Sequence, residues 1–104
     1  MHIITTVHHA RISDHMKQRA TRAVQRIALR VHAPIDATVR FEQDGPTRRV
    51  ELLMHARQPA RVIATGEHPR FFGPALVQAL ARLEAQLRSA KRPASKRRRP
   101  VTRA

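Results

Sequence analysis

The chain has 104 residues, no cysteine, three Phe and no Trp or Tyr, and its formal net charge is +14, from 21 Lys and Arg against seven Asp and Glu. This length fits one small domain with an aliphatic core, and the lack of cysteine excludes a disulfide framework or a thiolate metal site. Because 18 of the basic residues are Arg, whose planar guanidinium suits phosphate and base edges, the charge favours nucleic acid over an anionic membrane surface.

The first strand and the first helix are predicted from the opening third of the chain. Residues 1–7 are β-branched and apolar and predict a strand. Ser13 suits a helix N-cap, and apolar residues at helical spacing predict a helix from Asp14 to about Val31. A second, basic stripe on this helix is formed by Arg19, Arg22, Arg26 and Arg30. The helix has one Asp and no Glu that could neutralise the stripe. Two interpretations of the stripe therefore remain open, a solvated face and a binding surface.

Residues 36–56 predict an antiparallel hairpin, because two runs of alternating apolar and polar residues flank a turn signal at 44–47. A fourth strand is predicted over 60–65, and residues 66–69 are expected to end it. Leucines at helical spacing predict a second helix from Pro74 to about Lys91. Phe71 and Phe72, just before this helix, are expected to fill one end of the core.

The order β-α-β-β-β-α predicts an α+β fold, a two-layer sandwich in which two helices cover one face of a four-stranded, mostly antiparallel sheet. The first helix links strands one and two, which can therefore pair in parallel. We expect this domain to span residues 1–92. Residues 93–104, which are rich in Arg and Pro, are expected to form a disordered basic tail.

Catalysis and metal binding are not expected from the distribution of polar residues. The acids are scattered, with no carboxylate pair, catalytic triad or phosphate-binding loop. His8 and His9 are the only close histidine pair, and neighbours on an extended segment point apart. Phe41, Phe71 and Phe72 all look buried, so RNA would be recognised by its shape and backbone and not by base stacking. We expect no enzyme, no metal, no cofactor and no small-molecule substrate.

Several short matches make the chain resemble the ribosome hibernation-promoting factors, a family also called ribosome-associated inhibitors or sigma-54 modulation proteins. Residues 1–92 carry the resemblance, through the element order, Ile12-Ser13 at the first helix start, the segment 36–39, Gly66, and Leu80-Ala81-Arg82 in the second helix. The family's acidic, Tyr-containing entry to the second helix is replaced here by residues 68–74, and the Arg-rich tail is not typical of the family. The chain is similar to the short forms, which lack the domain that pairs two ribosomes.

The resemblance implies a cytoplasmic translation inhibitor that occupies the messenger and transfer RNA channel of the small ribosomal subunit. It implies contacts with ribosomal RNA through Lys17, Arg22, Arg26 and Arg30 on the first helix and Arg82, Arg88, Lys91 and Arg92 on the second. The residue pattern adds Arg19 to this set, together with the tail residues Lys96, Arg97, Arg98 and Arg99. We expect no membrane partner and a monomer away from the ribosome.

Two other functions fit the same residues. The chain could be a general structured-RNA or DNA-binding module, or a ribosomal protein with no inhibitory role. It could also be an adaptor that uses the basic tail at a membrane surface, although the sequence has no amphipathic helix with interfacial aromatic residues.

Overall fold

Four strands and two helices follow one another in the predicted order β-α-β-β-β-α in the computed structural model, which describes residues 1–58 and 60–90. The elements are β1 (His2–His8), α1 (Asp14–Ala28), β2 (His32–Asp44), β3 (Thr47–Gln58), β4 (Arg61–His68) and α2 (Phe72–Ala90). The predicted tail lies outside the described residues.

The strands form one sheet in the order β1-β2-β3-β4. β1 pairs in parallel with β2, across the connection made by α1, and the other two pairs are antiparallel. Val39 shows the register, since it lies opposite Thr5 of β1 and Leu52 of β3. The sheet and its two helices confirm the α+β two-layer fold.

A single hydrophobic core lies between the helices and one face of the sheet. Phe41, Leu52, Leu76 and Leu83 are among its largest fully buried side chains. Phe41 meets Phe72 edge to face, with ring centroids 5.7 Å apart, which is a favourable geometry for two aromatic rings. The alternation in β2 and β3 thus places its apolar members in this core, and the opposite face of the sheet is open.

Gly66 lies inside β4 and does not end the strand, contrary to the prediction from the sequence. It pairs with Val50 of β3, and the strand continues to His68. A Cβ atom at this position would lie 2.0 Å from the Ala75 carbonyl oxygen and 2.6 Å from the Ala79 nitrogen. The missing side chain therefore lets the backbone of α2 pack directly on β4.

The first helix ends about one turn earlier than predicted. Leu29 caps it, and the N–H groups of Arg30 and Val31 donate to carbonyls three residues back, at 3.0 and 3.1 Å. β2 then begins at once, with Ala33 at a φ of 51° and a register shift between Pro34 and Asp36. Pro34 does not end the helix, which stops six residues earlier at Ala28; it lies at an irregularity of β2, where its missing N–H is tolerated.

The second helix begins two residues earlier than predicted, at Phe72, so Pro74 lies in the first turn. The first four N–H groups of a helix have no partner within it, so Pro74 costs no hydrogen bond there. Phe72 packs against the core as expected. The prediction for Phe71 is wrong, since this side chain is 60% exposed.

Candidate nucleic-acid interface

Charge is divided between the two layers of the fold. Residues 14–30 and 72–90, which form the helix layer, carry seven Lys and Arg against two acids, a net charge of +5. The four strands carry five Arg and five acids, a net charge of zero. A polyanion is therefore attracted to the helix layer and not to the open face of the sheet.

Three arginines of α1 form the centre of this basic surface: Arg19, Arg22 and Arg26. All three are exposed, and none of them has a salt bridge with any residue in 1–58 and 60–90. Arg19 lies at the side of α1 that faces α2, since its guanidinium is within van der Waals reach of Gly73. We define these three side chains as the α1 arginine surface.

Arg30 was predicted to belong to the same stripe, but the structure gives it an internal partner. Its guanidinium donates to the Glu84 carboxylate at 2.6 Å and ties the end of α1 to α2. Both side chains remain partly exposed, so the ion pair contributes little to stability. Arg88 lies next to this pair, around a small depression that Ile27 and Leu87 also line. Arg30 and Arg88 thus extend the basic surface, with one acid among them.

Lys17 does not join the α1 arginine surface. At about 100° per residue it lies roughly 140–180° around the helix from Arg19, Arg22 and Arg26. The side chain is partly buried. A flat polyanion that contacts the three arginines therefore cannot contact Lys17 at the same time.

Arg82 has a structural task that the sequence did not reveal. β4 is an edge strand, and α2 places three polar side chains along its unpaired backbone. Arg82 donates to the Thr65 carbonyl at 2.6 Å, Gln86 donates to the Ile63 carbonyl at 2.6 Å, and Gln78 accepts from the Glu67 N–H at 3.0 Å. These bonds close the edge against pairing with another chain. Arg82 is exposed and keeps further donors, but it lies away from the α1 arginine surface.

The remaining predicted contacts lie outside the described residues: Lys91, Arg92, Lys96, Arg97, Arg98 and Arg99. They stay predictions.

The open face of the sheet neutralises most of its own charge. Arg49 lies within 4 Å of three acids, donating to Glu67 at 2.7 Å and approaching Glu42 and Asp44 at 3.5 and 3.8 Å. The hydrogen bond and Coulomb attraction of Glu67, with smaller attractions from Glu42 and Asp44, raise the pKa of Arg49, although desolvation lowers it in part. His55 contacts Asp36 at 2.7 Å. Arg49 thus forms ion pairs across the strands of this face, with Glu42 of β2 and Glu67 of β4.

A second group of basic residues was missed by reasoning from the sequence. Arg11 and Arg70 from two loops and Arg48 from the start of β3 meet around an open depression at one end of the molecule, which Phe71 also lines. These three arginines lie far from one another in the sequence, so no basic stripe or run predicts the group. The sequence signal that could have indicated this group is the pair Arg70-Phe71, an arginine beside an aromatic residue in a loop.

Among residues 1–58 and 60–90, no three His, Asp or Glu side chains come together in a way that could hold a metal ion. No helix in this part of the chain is long and apolar enough to cross a membrane.

Two of the solved structures that share the fold cover most of the chain. One is described as a ribosomal subunit interface protein from Coxiella burnetii, with a TM-score of 0.73, 17% identity, and coverage of 88% of this chain and 98% of that one. The other is the N-terminal domain of Thermus thermophilus Protein Y, with a TM-score of 0.67, 22% identity, and coverage of 83% and 94%. No curated protein matches the chain significantly.

A family model described as "Sigma 54 modulation protein / S30EA ribosomal protein" matches residues 3–94, which is nearly the whole chain. The match confirms the family resemblance seen in the sequence. The chain therefore belongs to the sigma 54 modulation protein / S30EA ribosomal protein family.

Proposed function

We propose that this chain binds the small ribosomal subunit through its helix layer and inhibits translation by occupying the channel for messenger and transfer RNA. Membership of the family makes the chain a ribosome-associated protein. The Coxiella burnetii protein with this fold is described as a ribosomal subunit interface protein. The channel lies at that interface, so the proposed position agrees with the description.

The observation that carries the proposal is the division of charge between the layers. The α1 arginine surface has no acidic partner among the described residues, whereas the arginines at the centre of the sheet are paired. Guanidinium groups that are not neutralised internally can contact phosphates and release their counterions. The protein would dock with α1 against ribosomal RNA and with the open sheet face turned away.

The proposed inhibition is steric and needs no chemical step. The core joins both helices to the sheet, and Arg30 and Glu84 link the helices at their exposed side. A domain held together in this way stays folded and fills its volume, so a second molecule cannot pass through the same space. A tRNA or mRNA would have to displace it, so inhibition should follow occupancy.

The tail residues and the end of α2 would add phosphate contacts without reading sequence. Lys91, Arg92, Lys96, Arg97, Arg98 and Arg99 continue the basic character of the helix layer. We propose a cytoplasmic protein that is monomeric away from the ribosome. At one of the two sheet edges, Gln78, Arg82 and Gln86 support this, since they close β4 against strand pairing.

Addition of the protein to a reconstituted translation reaction tests this function. We expect synthesis to fall as the protein approaches the ribosome concentration, and to recover when excess initiator tRNA and mRNA compete for the channel. Cosedimentation in the same buffer measures occupancy. Binding to ribosomes with synthesis unchanged would contradict inhibition and would favour a general RNA-binding or ribosomal protein role.

A further inference from the structure

We infer that the depression at the end of the molecule is a second RNA-binding site, which holds one unpaired nucleotide with its base stacked on Phe71 and its phosphates on Arg11, Arg48 and Arg70. The site borders the α1 arginine surface at Arg19, whose guanidinium approaches Gly73 of the lining, but none of the three arginines of that surface lines the depression. The inference rests on the proposed function only in taking RNA as the ligand.

Two loops and two strand ends build most of the depression. They are the loop between β1 and α1, the loop between β4 and α2, and the ends of β2 and β3 beside the hairpin, and the first turns of both helices complete it. Its volume of about 790 Å³ is in the range of pockets that hold a nucleotide-sized ligand. Because it is open to solvent at one side, a nucleotide can enter while its chain continues in both directions.

The charge of the lining selects an anion. Arg11, Arg48 and Arg70 line the depression, and no Asp or Glu is among its lining residues. Arg48 is held in place, since its guanidinium donates to the Pro46 carbonyl at 2.6 Å and keeps its other donors. Arg11 and Arg70 are exposed. This pattern fits the two phosphates that flank a nucleotide.

Phe71 supplies the contact that distinguishes a base from a simple anion. Its ring is 60% exposed although two other Phe are buried or packed on the core. The Phe71 N–H donates to Nδ1 of His68 at 2.9 Å, and the two rings lie 5.6 Å apart at 30°. The Phe71 backbone is thus fixed and its ring lies near His68, and the exposed part of the side chain can stack on a base.

Single-stranded RNA is the occupant favoured by this combination. A duplex hides the faces of its bases, so it would meet only the arginines. An acidic peptide would also meet the arginines, but it would gain nothing specific from an aromatic ring. Base stacking on an exposed ring tolerates any sequence, so we expect a preference for unpaired RNA over duplex and little preference among bases.

The test uses a hexanucleotide RNA that carries 2-aminopurine, whose fluorescence falls when the base stacks on an aromatic ring. The full chain should quench the probe, and Phe71→Ala should remove the quenching and weaken binding roughly 5- to 100-fold. Phe71→Trp should retain both. Leu29→Ala, which removes another exposed apolar side chain, is the matched control and should behave as the unmodified chain does.

Two outcomes would overturn the inference: equal quenching and affinity for Phe71→Ala and Leu29→Ala, or equal quenching when the probe strand is in a duplex. Binding of an acidic peptide that depends on Phe71, with no quenching of the RNA probe, would replace RNA by a protein partner. Ribosome sedimentation separates this site from the proposed function. Ribosome binding with quenching independent of Phe71 contradicts only the site, and quenching that depends on Phe71 without ribosome binding contradicts only the proposed function.

Discussion

Reversal of charge on α1, in the variant Arg22→Glu/Arg26→Glu, should raise the Kd for ribosomes at least about 100-fold. Two attractions to phosphate become two repulsions, which together cost about 3 kcal/mol or more. Neither arginine has a salt bridge among the described residues, so no internal ion pair is lost. Sedimentation over a series of salt concentrations measures the effect, and the salt dependence should also become shallower by about one unit per lost phosphate contact.

Arg57→Glu/Arg61→Glu is the matched control for this prediction. It changes net charge by the same amount and alters two exposed arginines on β3 and β4, near the open face. We expect its Kd to stay within about threefold of the unmodified value, since the only remaining effect is long-range and screened by salt. An equal rise of the Kd in both variants would mean that net charge alone, and not the helix layer, determines ribosome binding.

Replacement of Gly66 by Ala should lower the free energy of unfolding by about 3 kcal/mol, which is at the upper end for added volume in a packed core. The new methyl group would have to push away backbone atoms of Ala75 and Ala79, and backbone in a helix cannot move as a side chain can. For a domain of this size the Tm should fall by roughly 10–25 °C. Thermal and urea unfolding followed by circular dichroism measure both quantities.

Gly73→Ala provides the contrast within the same chain. A Cβ there would have as its nearest neighbour a guanidinium nitrogen of Arg19 at 3.7 Å, an ordinary contact. Alanine is also the better helix former, so stability should be unchanged or higher by a few tenths of a kcal/mol. A loss at Gly73 as large as that at Gly66 would show that the close approach of β4 and α2 is not the reason for glycine at position 66.

The fold could be predicted from the sequence because each core element has a clear apolar period. The alternation around Val39 and Val50 and the leucines of α2 specify which faces meet. The boundaries were less predictable, since they depend on tertiary contacts. Gly66 looks like a strand end in the sequence and is instead the residue that allows α2 to approach β4. Pro74 looks like a helix start because proline is favoured at the first helical position. The first four N–H groups of a helix all lack partners within it, so the helix could also begin before Pro74, as it does at Phe72.

The candidate interface could be predicted only where its residues share one helix. The stripe of Arg19, Arg22 and Arg26 follows from helical spacing and is present on the surface of α1. The partners of Arg30 and Arg82 could not be predicted, because Glu84 lies 54 residues from Arg30 and the Thr65 carbonyl lies on another element. The depression around Phe71 was missed for the same reason, since it gathers two loops and two strand ends that are distant in the sequence.

Directed cleavage of ribosomal RNA tests the central claim that the helix layer faces the ribosome. The chain has no cysteine, so a single introduced cysteine can carry an iron chelate that generates hydroxyl radicals. One chelate is placed by His15→Cys, on the side of α1 that carries Arg22 and Arg26, and the other by Ile63→Cys on the open sheet face. We expect small-subunit RNA in the mRNA and tRNA channel to be cut strongly from position 15 and weakly from position 63. Stronger cutting from position 63, with both proteins bound, would contradict the account.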